Sequence, residues 1–246
     1  MKVELAKMRA GTVVKANALI QESRFKLSLR QQRIILYLIS QIEMGDEDFQ
    51  LYEFPISEFN RVCGLEKSGG SDYQVVKDAI KDLADKSIWI REDGRETLVR
   101  WIEKSSIDLR TGKVSIRFDN DMKPYLLQLK NNFTSYELVY TLHFRSKYSI
   151  RLYEYIKSVH YDETAPYEKK CEIDKLRCVM GAESYTVYRD FKRRVLELAV
   201  KEINLYSDKI VSFTEMKIGR KVVGIILKIS TKDAKARIEL SADLDR

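Results

Sequence analysis

The sequence predicts an α+β protein of two winged-helix domains, each a helix-turn-helix core with a β-hairpin wing. Three observations predict it. The order helix, short helix, turn, helix, β-ribbon occurs twice along the 246 residues. Each ribbon is divided at a glycine, Asp93-Gly94 in the first half and Ile218-Gly219-Arg220 in the second, as tight hairpins favour. Hydrophobic residues make up 44% of the chain, enough for real cores, yet no window approaches the roughly eighteen uncharged apolar residues of a membrane span.

In the first half, Ser28 is placed to cap a helix from Leu29 to about Glu43, with Ile34, Ile35, Leu38 and Ile42 at helical spacing. Leu51 to Phe54 is short and apolar and is broken by Pro55. Ser57 opens a short helix to about Val62, ended by Gly64. After the loop Lys67-Ser-Gly-Gly, Ser71 caps a second helix that turns Val75, Val76, Ile80 and Leu83 inward. Strand-like runs follow at Ser87–Arg91, Thr97–Ile102 and Val114–Phe118, and Pro124 opens a helical piece to Leu129.

In the second half, Phe133 to Val159 reads as a long helical stretch, and Pro166 marks a break. Glu172 to Met180 is a short helix ended by Gly181. Ser184 is placed to cap a helix from about Tyr185 to Leu205. Ile210–Lys217 and Lys221–Ile229 form the second ribbon, and Ile238–Arg246 reads as a frayed tail. The boundary is expected near Asn131. That divides the chain into a first domain over 1–130 and a second over 131–246, with no low-complexity linker between them.

The net charge is +7. Its position says more than its size. Residues 1–130 hold 22 Lys+Arg against 20 Asp+Glu, or +2, and residues 131–246 hold 22 against 17, or +5. Between Arg145 and Arg237 the balance is 21 against 13, or +8. Positive charge concentrated in one half is what a phosphate-binding surface requires.

The sharpest stretch is Tyr185-Thr-Val-Tyr-Arg-Asp-Phe-Lys-Arg-Arg-Val-Leu. On a helix, Val187, Phe191, Val195 and Leu198 form one stripe, expected to face the core. Thr186, Arg189 and Arg193 lie on the opposite side, flanked by Tyr188 and Lys192. Arg forks to guanine O6 and N7, Thr reaches a base edge or a thymine methyl, and a wide major groove admits the helix. Ser184 and Tyr185 stand at the helix start, where the dipole favours phosphate. The same residues also fit an ordinary solvated face. The hairpin tip Lys217-Ile-Gly-Arg-Lys puts Lys217, Arg220 and Lys221 beside a glycine that tolerates positive φ, as a DNA-contacting wing or a solubilising turn would. The first half has a weaker counterpart in Lys67, Ser68, Ser71 and Lys77. Asp72, Asp78 and Asp82 share its helix and repel phosphate, so backbone contacts at most, or docking of another protein, are expected there.

Signatures of catalysis are missing. The chain has no GxxxxGK[ST] loop, CxxC or HExxH. His143 and His160 are too far apart for the paired histidines of rolling-circle nickases. Asp119-Asn-Asp121 lacks the Gly and Glu of a calcium loop. Cys63, Cys171 and Cys178 are few and irregularly spaced, consistent with reduced thiols in a cytoplasm. Met1 to Lys15 carries no apolar h-region. The expectation is a cytoplasmic protein without catalysis, metal, cofactor or membrane partner.

Four stretches resemble a known family. Asn17-Ala-Leu-Ile followed by Leu27-Ser-Leu-Arg-Gln-Gln-Arg-Ile-Ile-Leu resembles its opening helix. Ser146-Lys-Tyr-Ser-Ile-Arg-Leu-Tyr-Glu-Tyr-Ile-Lys resembles the start of its second domain. Asp190-Phe-Lys-Arg-Arg-Val-Leu-Glu-Leu-Ala-Val-Lys-Glu-Ile-Asn resembles its DNA-reading helix, and Lys217-Ile-Gly-Arg-Lys-Val-Val its wing. The family is that of plasmid replication initiators with two winged-helix domains, which bind repeated origin sequences called iterons; the likeness covers roughly residues 13–230. It implies that the second domain reads the iteron in the major groove, with Arg189, Lys192 and Arg193 as base-reading positions and Lys217, Arg220 and Lys221 on the wing. It further implies that the first domain touches phosphate in a monomer and forms the interface of a homodimer. Monomers would open the origin and recruit the host initiator and replicative helicase. A transcriptional repressor, and an interaction module without specific DNA binding, are the competing readings.

Overall fold

The computed structural model describes residues 11–43, 45–63 and 72–244. They fall into two compact units, one over Gly11–Leu138 and one beginning at Val139.

The first unit opens with strand β1 (Thr12–Ala16), helix α1 (Asn17–Gln21) and the two-residue strand β2 (Ser23–Arg24). Helix α2 (Leu29–Ile39) starts as the sequence predicts. Ser28 Oγ accepts the Gln31 N–H at 3.3 Å while Gln31 Oε1 accepts the Ser28 N–H at 2.8 Å, a reciprocal capping box. The helix ends at Ile39, short of the expected Glu43, so Ile42 lies beyond it; Ile34, Ile35 and Leu38 are buried. Strand β3 (Tyr52–Pro55) leads into α3 (Ile56–Cys63), and α4 (Asp72–Ala84) buries Val76, Ile80 and Leu83. Hairpin β4 (Ser87–Glu92)–β5 (Arg95–Arg100) is the wing; β4 lies between β2 and β5. The run read as ending at Ile102 is instead two strands. Trp101 is fully buried at a bend, and β6 (Ile102–Asp108) then pairs with β7 (Lys113–Phe118), which also pairs with β3. A 3₁₀ turn (Asn120–Met122) and the short α5 (Lys123–Leu126) follow.

The expected helix from Phe133 to Val159 is three elements. Strand β8 (Phe133–Glu137) pairs antiparallel with β1, α6 (Val139–Leu142) is one turn, and α7 (Lys147–Val159) is the true helix, with Ser146 Oγ accepting the Tyr148 N–H at 3.2 Å. The strand overrides the helical reading because pairing with β1 fixes an extended backbone there, which buries Thr134 and Tyr136 and leaves Phe133, Ser135 and Glu137 exposed. Pairing with β1 also carries this segment into the first unit, so the compact units divide at Leu138, beyond Lys130.

In the second unit, α7 is followed by strand β9 (Tyr167–Glu172), which the sequence reading missed, and by α8 (Ile173–Met180). Then comes one continuous helix, α9. It consists of an α turn (Tyr188–Phe191), a π turn (Lys192–Leu196) and an α segment (Glu197–Tyr206). Strands β10 (Lys209–Ile218) and β11 (Lys221–Thr231) form the wing, with β11 between β10 and β9. The expected frayed tail is helix α10 (Ala234–Leu244), whose Leu244 is buried.

A polar network holds α7 to the base of the wing. Tyr153 Oη donates to Asp208 at 2.8 Å, and Lys157 Nζ reaches Asp208 at 3.1 Å and Glu163. The fully buried Lys209 ammonium donates to Glu163 and to Thr231 Oγ1, each at 2.8 Å. Burial acts to raise the Glu163 carboxyl, but hydrogen bonds from Lys157 and Lys209 outweigh it and hold the pKa at about 2. Glu202, on α9, accepts the N–H groups of Arg145 and Ser146 at 3.1 Å each, which ties α9 to the start of α7.

Candidate nucleic-acid interface

Helix α9 starts at Tyr188, three residues later than expected. Ser184, Tyr185 and Thr186 lie in the turn before it, and Val187 occupies the N-cap position without a side-chain cap. The turn is held from α8. Arg177 donates to the Thr186 carbonyl and to Asp174, each at 2.9 Å, and its guanidinium lies 5.4 Å from the centre of the Phe191 ring. Tyr185 meets Tyr148 edge-on at 6.0 Å, and burial, followed by the contact with Tyr185, pushes the Tyr148 phenol up to about 12. Tyr185 is thus half-buried packing, Ser184 and Thr186 are exposed, and Arg177 is a positioning residue the sequence reading missed.

The expected inward stripe is half right. Phe191 and Val195 are fully buried, but Val187 and Leu198 are 55% and 40% exposed. Val187 precedes the helix. Leu198 misses because of the π turn, in which the Glu197 N–H donates to the Lys192 carbonyl five residues back. One extra residue in the turn advances the buried face by one position, so Leu196, Ala199 and Ile203 complete the core instead.

The outward face keeps its cations. Arg189, Arg193 and Arg194 are exposed, and Arg193, at 68% side-chain exposure, comes within 4.0 Å of Asp190. Arg194 was not singled out by the sequence reading. Lys192 is different: its ammonium lies 2.9 Å from Glu215 Oε1 on β10, which also accepts the Tyr188 hydroxyl at 3.0 Å. Lys217 pairs with Glu215 Oε2 at 3.0 Å. Hydrogen bonds from Lys192 and then Lys217 hold the Glu215 carboxyl at about 2, and the same bond raises Lys192. Burial and the bond to Glu215 raise the Tyr188 phenol. Glu215 was legible in principle, since residues two apart on a strand share a face and Glu215 stands two before Lys217.

Beside this cluster lies an open groove of about 850 Å³ between the start of α9, α8 and the wing, lined by Arg177, Thr186, Tyr188, Met216, Arg220 and Lys221. The wing tip turns at Gly219 with φ +60, and Lys217, Arg220 and Lys221 are exposed around it. Gly224 is needed where β11 passes β9, because a Cβ there would lie 2.7 Å from the Cys171 carbonyl oxygen. In the first unit, Lys77 is exposed on α4; Lys67, Ser68 and Ser71 lie outside the described residues. Among the described residues, no group of three or more His, Cys, Asp or Glu is arranged to hold a metal ion, and no helix is long and apolar enough to cross a membrane.

Two winged helices in tandem, the second with an exposed cationic third helix and a cationic wing, define the class. Family models narrow it: residues 12–157 match the Initiator Replication protein WH1 domain and residues 172–229 the Initiator Rep protein WH2 domain, and the chain belongs to this replication initiator family. A curated relative, a replication initiation protein of Escherichia coli, is 26% identical over 207 residues, covering 80% of this chain. The chain spans 63% of that relative's length. The crystal structure of the Pi initiator protein in complex with iteron DNA shares the fold, with a TM-score of 0.73 at 20% identity over 92% of this chain and 99% of that one.

Proposed function

We propose that this chain is an origin-binding plasmid replication initiator that recognises direct repeats in double-stranded DNA and does so without catalysis. The observation that carries the reading is the exposed guanidinium face of α9 (Arg189, Arg193 and Arg194), with Arg220 and Lys221 across the neighbouring groove. Arginines on a major-groove helix fork to guanine, and wing cations bind the flanking phosphates. The Pi initiator, of the same fold, is described in complex with iteron DNA, which supports the same ligand here. We assign base reading to Arg189 and Arg193 and phosphate contact to Arg220 and Lys221, with Lys192 and Lys217 supporting. Thr186 and Ser184 border the duplex.

The first domain is assigned phosphate contact, through Lys77, in the monomer and the interface of a homodimer. Trp89 and Leu98 support the second role. They are direct cross-strand partners on β4 and β5, each 49% exposed, and β5 is an edge strand of its sheet. Monomers open the origin and recruit the host initiator and replicative helicase; dimers hold initiation in check. The cytoplasm is the compartment this role requires.

The test is plasmid maintenance. A plasmid bearing tandem repeats spaced by about two helical turns, so that each presents the same face, should persist only when the chain is supplied. Repeat binding without replication indicates a repressor, and no binding above random DNA indicates an interaction module. Incubation with supercoiled DNA and magnesium should leave it unnicked.

A further inference from the structure

We propose that Glu215 is a specificity-determining residue that withholds Lys192 and Lys217 from non-cognate phosphate; this rests on the DNA-binding reading above and deepens it. Each carboxylate oxygen has its own ammonium, Lys192 on Oε1 and Lys217 on Oε2, and Oε1 also takes the Tyr188 hydroxyl. The acid therefore sits where the recognition helix meets the wing, within the surface offered to DNA. It is half-buried, at 20% side-chain exposure, while Lys192 and Lys217 are 36% and 53% exposed and reachable by a phosphate.

Random DNA is held by counterion release, and each lysine that moves from a protein carboxylate to a DNA phosphate gives up one ion pair for another. Such an exchange contributes little to affinity. On the cognate site, base contacts from Arg189 and Arg193 seat the helix, the backbone is presented at high effective concentration, and the exchange goes to completion. Glu215 then lowers random binding more than repeat binding, which is specificity obtained by an opposing charge.

The test uses the full chain with two duplexes, the sequence it selects from a randomised pool and a scrambled one. Glu215→Gln keeps the shape and an amide oxygen to accept from Tyr188, and removes the charge. Its log–log salt slope on scrambled duplex should steepen by about 1.8, two contacts at about 0.9 each, and its affinity there should rise on the order of tenfold at physiological salt. The selected duplex should change by less than half as much in slope, so discrimination falls. Glu215→Asp should keep most of it. Lys192→Gln and Lys217→Gln added to Glu215→Gln should return the scrambled-duplex salt slope to the wild-type value and leave the selected duplex weakened, which traces the gain in Glu215→Gln to the two ammonium groups. Equal changes on both duplexes, or an unchanged scrambled duplex in Glu215→Gln, overturn the proposal. A wild-type chain that selects no sequence fails the DNA-binding reading itself.

Discussion

The two winged helices repeat one order of elements and diverge on the outer face of the third helix. On α4, Lys77 and Lys81 are offset by Asp78 and Asp82, all four exposed, and Gln74 donates to Asp78 at 2.8 Å. On α9, Arg189, Arg193 and Arg194 crowd one exposed stretch, and the nearby acids Asp190 and Glu215 are engaged with cations of the same surface. The wings diverge in the opposite sense: β4 and β5 expose Trp89 and Leu98, whereas the tip between β10 and β11 exposes Lys217, Arg220 and Lys221. The same scaffold thus presents a wing of mixed charge with an exposed Trp89–Leu98 pair in one unit and a cationic helix and wing tip in the other. Function on this fold resides in side chains on the exposed surface, not in the order of elements.

The comparison breaks most readily at the core beneath the cations. Phe191 is fully buried under the guanidinium of Arg177, so Phe191→Ala should destabilise the second unit by about 3–5 kcal/mol, read as an earlier thermal transition and loss of repeat binding. The first unit's wing is next. Trp89→Lys should weaken self-association by about 2 kcal/mol, measured by sedimentation or light scattering across a concentration series, while the monomer's repeat affinity stays within twofold of wild type, about 0.4 kcal/mol. Gly224→Ala should cost the second unit about 1–3 kcal/mol in denaturant unfolding, since its Cβ meets the Cys171 carbonyl as well as Met216.

These predictions rest unevenly on features legible in the sequence. The helices around Ser28, Val76 and Leu176 follow from capping and apolar period, and Gly219 marks the turn of the second ribbon. Strands β1, β8 and β9 were not legible, because Thr12–Ala16, Phe133–Glu137 and Tyr167–Glu172 acquire their role only through pairing partners far along the chain. The late start of α9 and its π turn were hidden for a related reason. A regular 3.6-residue period fits the stretch from Tyr185 to Leu198, and only tertiary packing shows that Ala199 replaces Leu198 in the core. The exposed arginines survived this error. The coupling of Lys192 and Lys217 through Glu215 did not appear until the strand and helix were side by side.

The smallest expected effect is in acid. Glu163 and Glu215, both in the second unit, have folded values near 2, below the ordinary 4.5. A depressed carboxylate contributes stability that is fully present above its unfolded value and is lost as pH falls through the folded one. The second unit should therefore lose these contributions between about pH 4.5 and 2, and Glu163→Gln should flatten the acid limb of its unfolding curve over that window.

The most direct measurement is the affinity of the full chain for its selected duplex and a scrambled one, in Arg193→Ala and Lys77→Ala. Arg193→Ala should cost about 1–3 kcal/mol on the selected duplex and much less on the scrambled one, and Lys77→Ala should weaken both by the same small factor. Equal losses on both duplexes for Arg193→Ala, or a selective loss for Lys77→Ala, would contradict the assignment of sequence reading to α9.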